Sequence, residues 1–429
     1  MRATRFKRLV LGVLAAACVS LGAQAAEGDA PTGELRLSWT DRGAASHGPL
    51  AAANALQPGI AAPAPSSLLL EAELRHTLRA RLGSTPLALA GNAWLGYSQA
   101  EGRASDGNAR VNELHLSADF GAWQASAGKK VIGWDVGHGF RPNDVVQQEA
   151  RRTLLSTTPE GRPLLQLEHF DADSAWTLVW VNPQRWNADD AASRGAAESA
   201  FALRAYRRLG GLDAFGFARH GAHTGASAGA ALAWVATDEL ELHGSVRGLE
   251  RHDGWRLAPG SGGALVGANP WQQATLGRAS QWLLGASWTG AQQQGLLLEY
   301  WHDGTTLSDA DWDRWNGRSA ALRRLPSPPV PTAAKAGNLA WQAAPLDSPN
   351  LRRDNLFVRL SWQPTPWQWA LDALITPADR GRLLTASLQW QGDRWRTYAA
   401  LRFAGGPPDS LIAQLPVRRS VVIAATRAF

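Results

Sequence analysis

The chain has 429 residues, with 43 basic and 37 acidic side chains, 21 tryptophans and a single cysteine. One cysteine leaves no disulfide framework, and beyond residue 21 no apolar run reaches the roughly 18 residues of a membrane-spanning helix. A soluble chain of this length ordinarily splits into two or more domains, whereas a single membrane barrel uses as much.

The chain opens with Arg2, Arg5, Lys7 and Arg8, followed by an apolar run from Leu9 to Leu21 and the small-residue site Ala23-Gln24-Ala25. This is the pattern of a secretory signal cut after Ala25, and the run is too short to serve as a permanent anchor. Cys18 lies inside the run, but Ala15 stands where a lipidation motif places leucine. Removing residues 1–25 takes away four basic side chains and no acid, leaving 39 basic against 37 acidic groups. The basic excess therefore belongs mostly to the leader, and nucleic acid is not expected as a partner. Residues 26–429 are read as one domain.

Alternation with period two runs through that domain. From Leu70 to Leu82 the even positions Leu70, Ala72, Leu74, Leu78 and Leu82 are apolar, while the odd ones are Glu71, Glu73, Arg75, Thr77, Arg79 and Arg81. Asn112, Leu114, Leu116, Ala118 and Phe120 separate in the same way from Glu113, His115, Ser117 and Asp119. Trp367, Trp369, Leu371, Ala373 and Ile375 separate from Gln368, Ala370 and Asp372. Segments of this kind predict strands near 33–40, 68–82, 86–98, 110–120, 122–132, 164–171, 174–182, 200–208, 211–219, 226–236, 238–249, 280–290, 294–302, 354–363, 366–376, 381–391, 393–403 and 416–429. The predicted fold is an all-β, transmembrane antiparallel barrel of about 18 strands (16–18). Its links alternate long and short, as extracellular loops and periplasmic turns do. Phe120 and Trp123, Phe170 and Trp176, Trp362 and Trp367, and Trp390 and Trp395 flank the short turns, as an interfacial girdle would.

The last segment puts Val417, Val421, Ile423, Ala425 and Phe429 on one face. It resembles the terminal strand of outer-membrane proteins, whose final phenylalanine is part of the assembly signal. That resemblance implies a bacterial cell outer membrane, the surrounding lipid and the barrel-assembly machinery as partners.

On the faces expected to point inward stand Arg75, Arg79, Arg81, Arg204, Arg247, Arg359, Arg382, Arg396 and Arg402, interspersed with Glu71, Glu73, Glu113, Glu239, Glu241, Glu299 and Asp372. An 18-stranded barrel encloses a water-filled lumen unless loops fill it, and arginine rings there favour anions. Arginines paired with neighbouring acids as wall ladders are the plainer reading. The long segments 250–279 and 303–353 hold Trp255, Trp271, Trp312, Trp315 and Trp341, read as packing the loops into a lid in preference to stacking on sugar rings.

Between the fifth and sixth predicted strands lies Gly133-Trp134-Asp135-Val136-Gly137-His138-Gly139-Phe140-Arg141-Pro142-Asn143-Asp144, followed by Glu149, Arg151 and Arg152. With Gly128, Lys129, Trp134, Pro142 and Asp144, this stretch resembles Gram-negative outer-membrane channels of the alginate-export-like and related porin families. In those barrels a loop at this point folds inward, which makes Asp135, His138, Arg141, Asp144, Arg151 and Arg152 candidate constriction residues.

No Gly-rich phosphate loop and no Gly-x-Ser-x-Gly elbow is present. His220 and His223 have a metal-compatible spacing but no further ligand beside them. No cofactor, metal or catalytic residue is expected. The leading expectation is a porin-like channel passing small polar, preferentially anionic, solutes. Two others stand beside it: an alginate-like exopolysaccharide export pore, and an outer-membrane lipid hydrolase using His115, His169 or His243, or a barrel plugged by its own loops.

Overall fold

The computed structural model describes residues 30–147, 154, 158–182 and 198–429. The expected leader, 1–25, and the loop arginines Arg151 and Arg152 lie outside the described residues.

The wall starts with β1 (Thr32–Ala44), β2 (Ser66–Leu82), β3 (Thr85–Ala100), β4 (Asp106–Asp119), β5 (Trp123–Lys130) and β6 (Arg162–Phe170). It continues through β7 (Ser174–Val181), β8 (Ala200–Leu209), β9 (Leu212–Gly221), β10 (Gly225–Val235) and β11 (Leu240–Leu249). A separate hairpin of β12 (His252–Leu257) and β13 (Trp271–Leu276) interrupts it. The wall resumes with β14 (Ala279–Thr289), β15 (Gln294–Asp303), β16 (Asp354–Trp362), β17 (Trp367–Thr376), β18 (Gly381–Gln391), β19 (Trp395–Gly405) and β20 (Val417–Ala428). These 18 wall strands form one antiparallel sheet that closes where β20 pairs with β1.

The period-two pattern becomes the two faces of this wall. Leu35, Leu37, Leu70, Leu74, Leu95, Leu116, Leu178, Leu284, Leu371 and Ile423 are exposed on the outside, the apolar belt that a membrane-spanning barrel presents to lipid. Trp123, Trp176, Trp362, Trp367 and Trp395 lie on that face beside the short turns, as expected. Phe170 does not: it pairs with Ala175 and shares parity with buried Leu164, so it stands at the inner rim.

The eight short turns expected from the sequence all lie at the end of the barrel where the described residues begin and end. The two tightest join Leu82 to Thr85 and Leu209 to Leu212, each pair meeting directly across two residues. Gly210 has φ +65°, a conformation that two-residue hairpins require and side chains resist. At the other end most links are long, but 222–224 and 377–380 are as tight as the turns opposite.

One register shift changes a sequence expectation. Asn92 pairs with Glu113 and Ala93 with Val111, so Asn112 is an extra residue in β4. This bulge turns Asn112 away from the face of Leu114 and Leu116, fully buries it, and lets it accept a bond from Arg110 Nε at 2.8 Å.

The long segments are more ordered than expected. They hold α1 (Gly48–Leu56), α2 (Asp309–Arg324), α3 (Thr332–Ala340) and a 3₁₀ turn at Trp341–Asp347. α2 begins with a capping box in which the Asp311 N–H donates to Ser308 Oγ at 3.2 Å and the Ser308 N–H donates to Asp311 Oδ2 at 3.0 Å. Its Trp312, Trp315 and Leu322 are fully buried. With Leu50, Trp271, Leu346, Leu411 and Ile412 the two tryptophans build an apolar core shared by four loops at the barrel mouth.

Closure is sealed at the last residue. The Gly33 N–H donates to the Phe429 carbonyl and the Phe429 N–H to the Gly33 carbonyl, both at 2.9 Å. The Phe429 ring lies over Gly33, so that a Cβ at residue 33 would come within 2.4 Å of Cε2. Gly33→Val is therefore expected to displace the ring and reduce the fraction of protein migrating as a folded, heat-modifiable band. Gly91→Val, whose Cβ would meet only Leu114 Cδ1 at 3.8 Å, should leave that fraction unchanged.

Candidate functional site

The segment after β5 folds into the barrel. Ile132, Trp134, Val145 and Val146 pack on an apolar inner wall made by Leu164, Val179, Val181, Ala202, Phe217 and Ala231 of β6 to β10. Its departure uses Gly128, at φ +132°, where a Cβ would lie 2.3 Å from the Leu114 carbonyl oxygen. Glu113 receives the chain there by accepting from the Val131 N–H at 2.9 Å.

Three carboxylates hold the segment's shape. Asp144 Oδ1 accepts from the Trp134 and Asp135 N–H groups at 2.8 and 3.1 Å. Asp135 accepts from the N–H groups of Val136 and Asn143 at 2.8 and 2.5 Å, and from Ser245 Oγ on β11 at 2.9 Å. Glu299 on β15, fully buried, accepts from the His138 and Gly139 N–H groups at 2.7 and 2.6 Å and pairs with His243 Nε2 at 3.0 Å. Asn143 Nδ2 donates to Ser245 Oγ at 2.8 Å and Arg247 Nη1 to the Pro142 carbonyl at 3.1 Å, tying the turn to β11. Burial pushes the Asp135 carboxyl above its ordinary range, against the bonds from Asn143, Ser245 and Val136.

The six constriction candidates therefore divide. Asp135 and Asp144 are anchors. Arg141 donates from Nε to the Gly137 carbonyl at 2.7 Å and pairs with Asp144 at 3.6 Å, with a third of its side chain still exposed. His138 lines a cavity with Ser287, Arg359, Ser361 and Gln368. Burial lowers its imidazole pKa, offset in part by Glu299. Arg151 and Arg152 fall outside the described residues. Asn143 and Ser245, which share the anchoring with Glu299, were not singled out as site residues from the sequence, whereas Glu299 was expected as one of the inward-facing acids but not as an anchor. Only the inward parity of Glu299 with Leu297 and Trp301 pointed to it.

The remaining inner wall is charged. Arg36 Nε donates to Glu71 at 2.6 Å, Arg75 Nε to Glu73 at 2.7 Å, and Arg359 grips Asp372 with two bonds of 2.7 and 2.9 Å. Arg396 meets Glu34 at 3.4 Å and Arg204 lies over the Phe215 ring at 5.1 Å. Arg79 and Arg81 share the inward parity of Glu71 and Glu73, toward the turn at 83–84. Arg402 Nε donates to Thr385 at 2.9 Å, and the register sets Arg402 and Arg42 on either side of Ser420. Arg402, Arg418 and Ser420 line a cavity of about 430 Å³ below the loop cap. Arg382 departs from expectation. It pairs with Ile375 and Gly405 and shares the parity of exposed Leu384, so it points out of the barrel.

The cap is tied down by Arg352, whose Nη1 meets Asp309 at 3.0 Å and whose Nε meets Asp379 at 3.1 Å. Asp379 also accepts from the Leu411 and Gly381 N–H groups at 2.9 and 3.1 Å, so one carboxylate joins three loop segments. Trp271 Nε1 and Trp315 Nε1 donate to Gln342 at 2.6 and 2.9 Å. Trp271, Trp312 and Trp315 are buried, which supports the lid reading over sugar stacking.

The candidate catalytic histidines do not converge. His243 sits inside the wall on Glu299, and His169 faces outward against the Trp123 ring at 4.6 Å. His115 points inward opposite Gly128. His220 pairs with Phe201 on the outer face, while His223 Nε2 meets Asp253 at 2.7 Å. Among the described residues no group of three or more metal-ligating side chains comes together.

No family model and no curated protein matches this chain. By fold it is similar to OccAB1 of Acinetobacter baumannii, with a TM-score of 0.57 and 11% identity over 95% of this chain and 98% of that one. A triple-mutant porin of Rhodopseudomonas blastica aligns over 93% of this chain and 99% of its own with a TM-score of 0.44 and 8% identity. At such identities the likeness to OccAB1 is one of fold.

Two outcomes follow from the anchors. Glu299→Ala leaves His243 and two N–H groups without their acceptor and should cost about 3 kcal/mol, read as a lower unfolding temperature and as new protease cleavage within 137–143. At Asp379, burial opposes ionisation, but the Thr376 hydroxyl, the Leu411 and Gly381 N–H groups and Arg352 together hold the carboxyl below its usual range. Its folded value is depressed, so its contribution is complete above the unfolded value of about 3.9 and is lost as pH falls through the folded one. Protease sensitivity of the cap should thus rise only in strong acid, whereas Asp379→Asn should raise it at neutral pH.

Proposed function

We propose that the protein is an outer-membrane porin-like channel that passes small polar solutes passively, with a preference for anions. One observation carries the reading. The inserted segment packs on the apolar inner wall of β6 to β10, whereas the inner faces of β1 to β4 and β16 to β20 keep their charged and polar side chains. A wall built only to be plugged has no use for such a face, because buried charges are costly without water. The passage runs between that charged wall and the inserted segment, with Arg402 and Arg418 at its loop-side entrance. On this reading residues 1–25 direct export, Phe429 is part of the assembly signal, and the short turns face the periplasm.

An exopolysaccharide exporter calls for dense unpaired positive charge. Here Arg36, Arg75, Arg359 and Arg396 are each matched by a carboxylate, which favours the porin-like reading.

Planar-bilayer recording tests the proposal. Purified protein should insert as discrete conductance steps with a reversal potential favouring chloride. The Arg402→Glu, Arg418→Glu double variant should lower the anion-to-cation permeability ratio by about twofold or more, by reversing the field at the entrance. Absence of conductance overturns the channel, and a cation preference overturns the anion reading.

A further inference from the structure

The outward-facing Arg382 has a neighbour of the same kind. Leu384 and Phe403 pair, Phe403 pairs with Arg419, and Arg419 follows the outward parity of Val421 and Ile423. Two arginines thus face away from the lumen at the loop-side end of one arc, on either side of β19. At comparable outward positions on β3, β8, β14 and β16 stand Tyr97, Phe201, Trp282 and Leu356. Between the arginines β19 presents Gly405, where a Cβ would meet nothing within 4 Å, so the space is open. Arg419 shares its charge with Asp41 at 3.2 Å, and no ion pair engages Arg382 among the described residues.

Below them, on the same face, the wall is concave. There Ala386, Ala399, Leu360, Trp369, Leu371 and Leu401 line a shallow, open groove of about 530 Å³. Ala386 is four residues along β18 from Arg382, about 13 Å at the rise of a strand. A headgroup layer is only some 5–8 Å deep on each side of the hydrocarbon. If the arginines are level with headgroup phosphates, the groove therefore lies at acyl-chain depth.

We propose that the β16–β20 arc binds a phosphorylated, acylated lipid of the leaflet on the long-loop side, its phosphate held by Arg382 and Arg419 and an acyl chain lying in the groove. Guanidinium groups bind phosphate through paired, charge-assisted bonds. An arginine near the interface of a barrel's lipid face costs little, so a phosphate contact there is gained almost without penalty. Small side chains lining a trough give a straight chain close contact along its length. This site is independent of what crosses the lumen.

The test uses the full-length barrel in detergent and native mass spectrometry with diphosphorylated lipid A as the probe. Wild type should retain a single lipid. Arg382→Ala with Arg419→Ala, and separately Ala386→Phe, should each weaken binding by about tenfold or more, and the dephosphorylated lipid should bind wild type as poorly as the double arginine variant does. Heat-modifiable migration identifies the variants as folded. Unchanged binding by the folded variants overturns the site. Equal affinity for the dephosphorylated lipid overturns the phosphate contact. Displacement by inorganic phosphate alone, with no effect of Ala386→Phe, overturns the lipid in favour of a free-anion site. A groove variant that dissociates an oligomer and leaves lipid binding intact assigns the groove to a second copy of the chain and overturns the proposal.

Discussion

A sheet in hydrocarbon must satisfy its backbone N–H and C=O groups from within itself, and the pairing of β1 with β20 is what completes that requirement. Without it two edges would face lipid with a row of orphaned polar groups. Once the ring is closed, each strand has one face in lipid and one in the lumen, and the period-two pattern has only one productive phase. The outer belt of leucine and the inner ladders of arginine and glutamate are two readings of the same register.

Inside the ring, two solutions to an oversized interior coexist. Along β6 to β10 the inner face is apolar and is covered by the segment that leaves β5. Its polar backbone, which would otherwise be buried without partners, is gathered onto Asp135, Asp144 and Glu299. These carboxylates act as fixed acceptors for N–H groups, and each is satisfied several times over, the condition under which a buried charge stabilises a single arrangement. The other half of the wall keeps its charges toward space, and the loops at the mouth pack together on a tryptophan core.

The strands were legible because alternation is a local signal that tertiary context only reinforces, and all 18 wall strands fall where the pattern put them. What was not legible has identifiable causes. Asn112 looked like part of an apolar face because a bulge leaves no mark in a strictly alternating stretch. Arg382 was placed inward by its charge, although its parity with Leu384, Ala386 and Leu388 already pointed outward. The helices of the cap were hidden by the prolines and glycines of 303–353, yet Ser308 and Asp311 carried a capping-box spacing that marks the start of α2. The inserted segment was recognisable by resemblance, but its anchors were not: Ser245 and Glu299 lie more than a hundred residues from the groups they hold.

Gly33 and Phe429 exchange both backbone bonds, so these two residues stand about one strand spacing apart, some 4.8 Å. In space the junction is a hairpin that lacks only its turn. The folded wall accordingly has no first strand, and the tight link at Gly210-Gly211 is the same kind of joint with its peptide bond in place. The order in which the strands follow one another along the chain matters for how the ring is assembled, and hardly at all for how it stands.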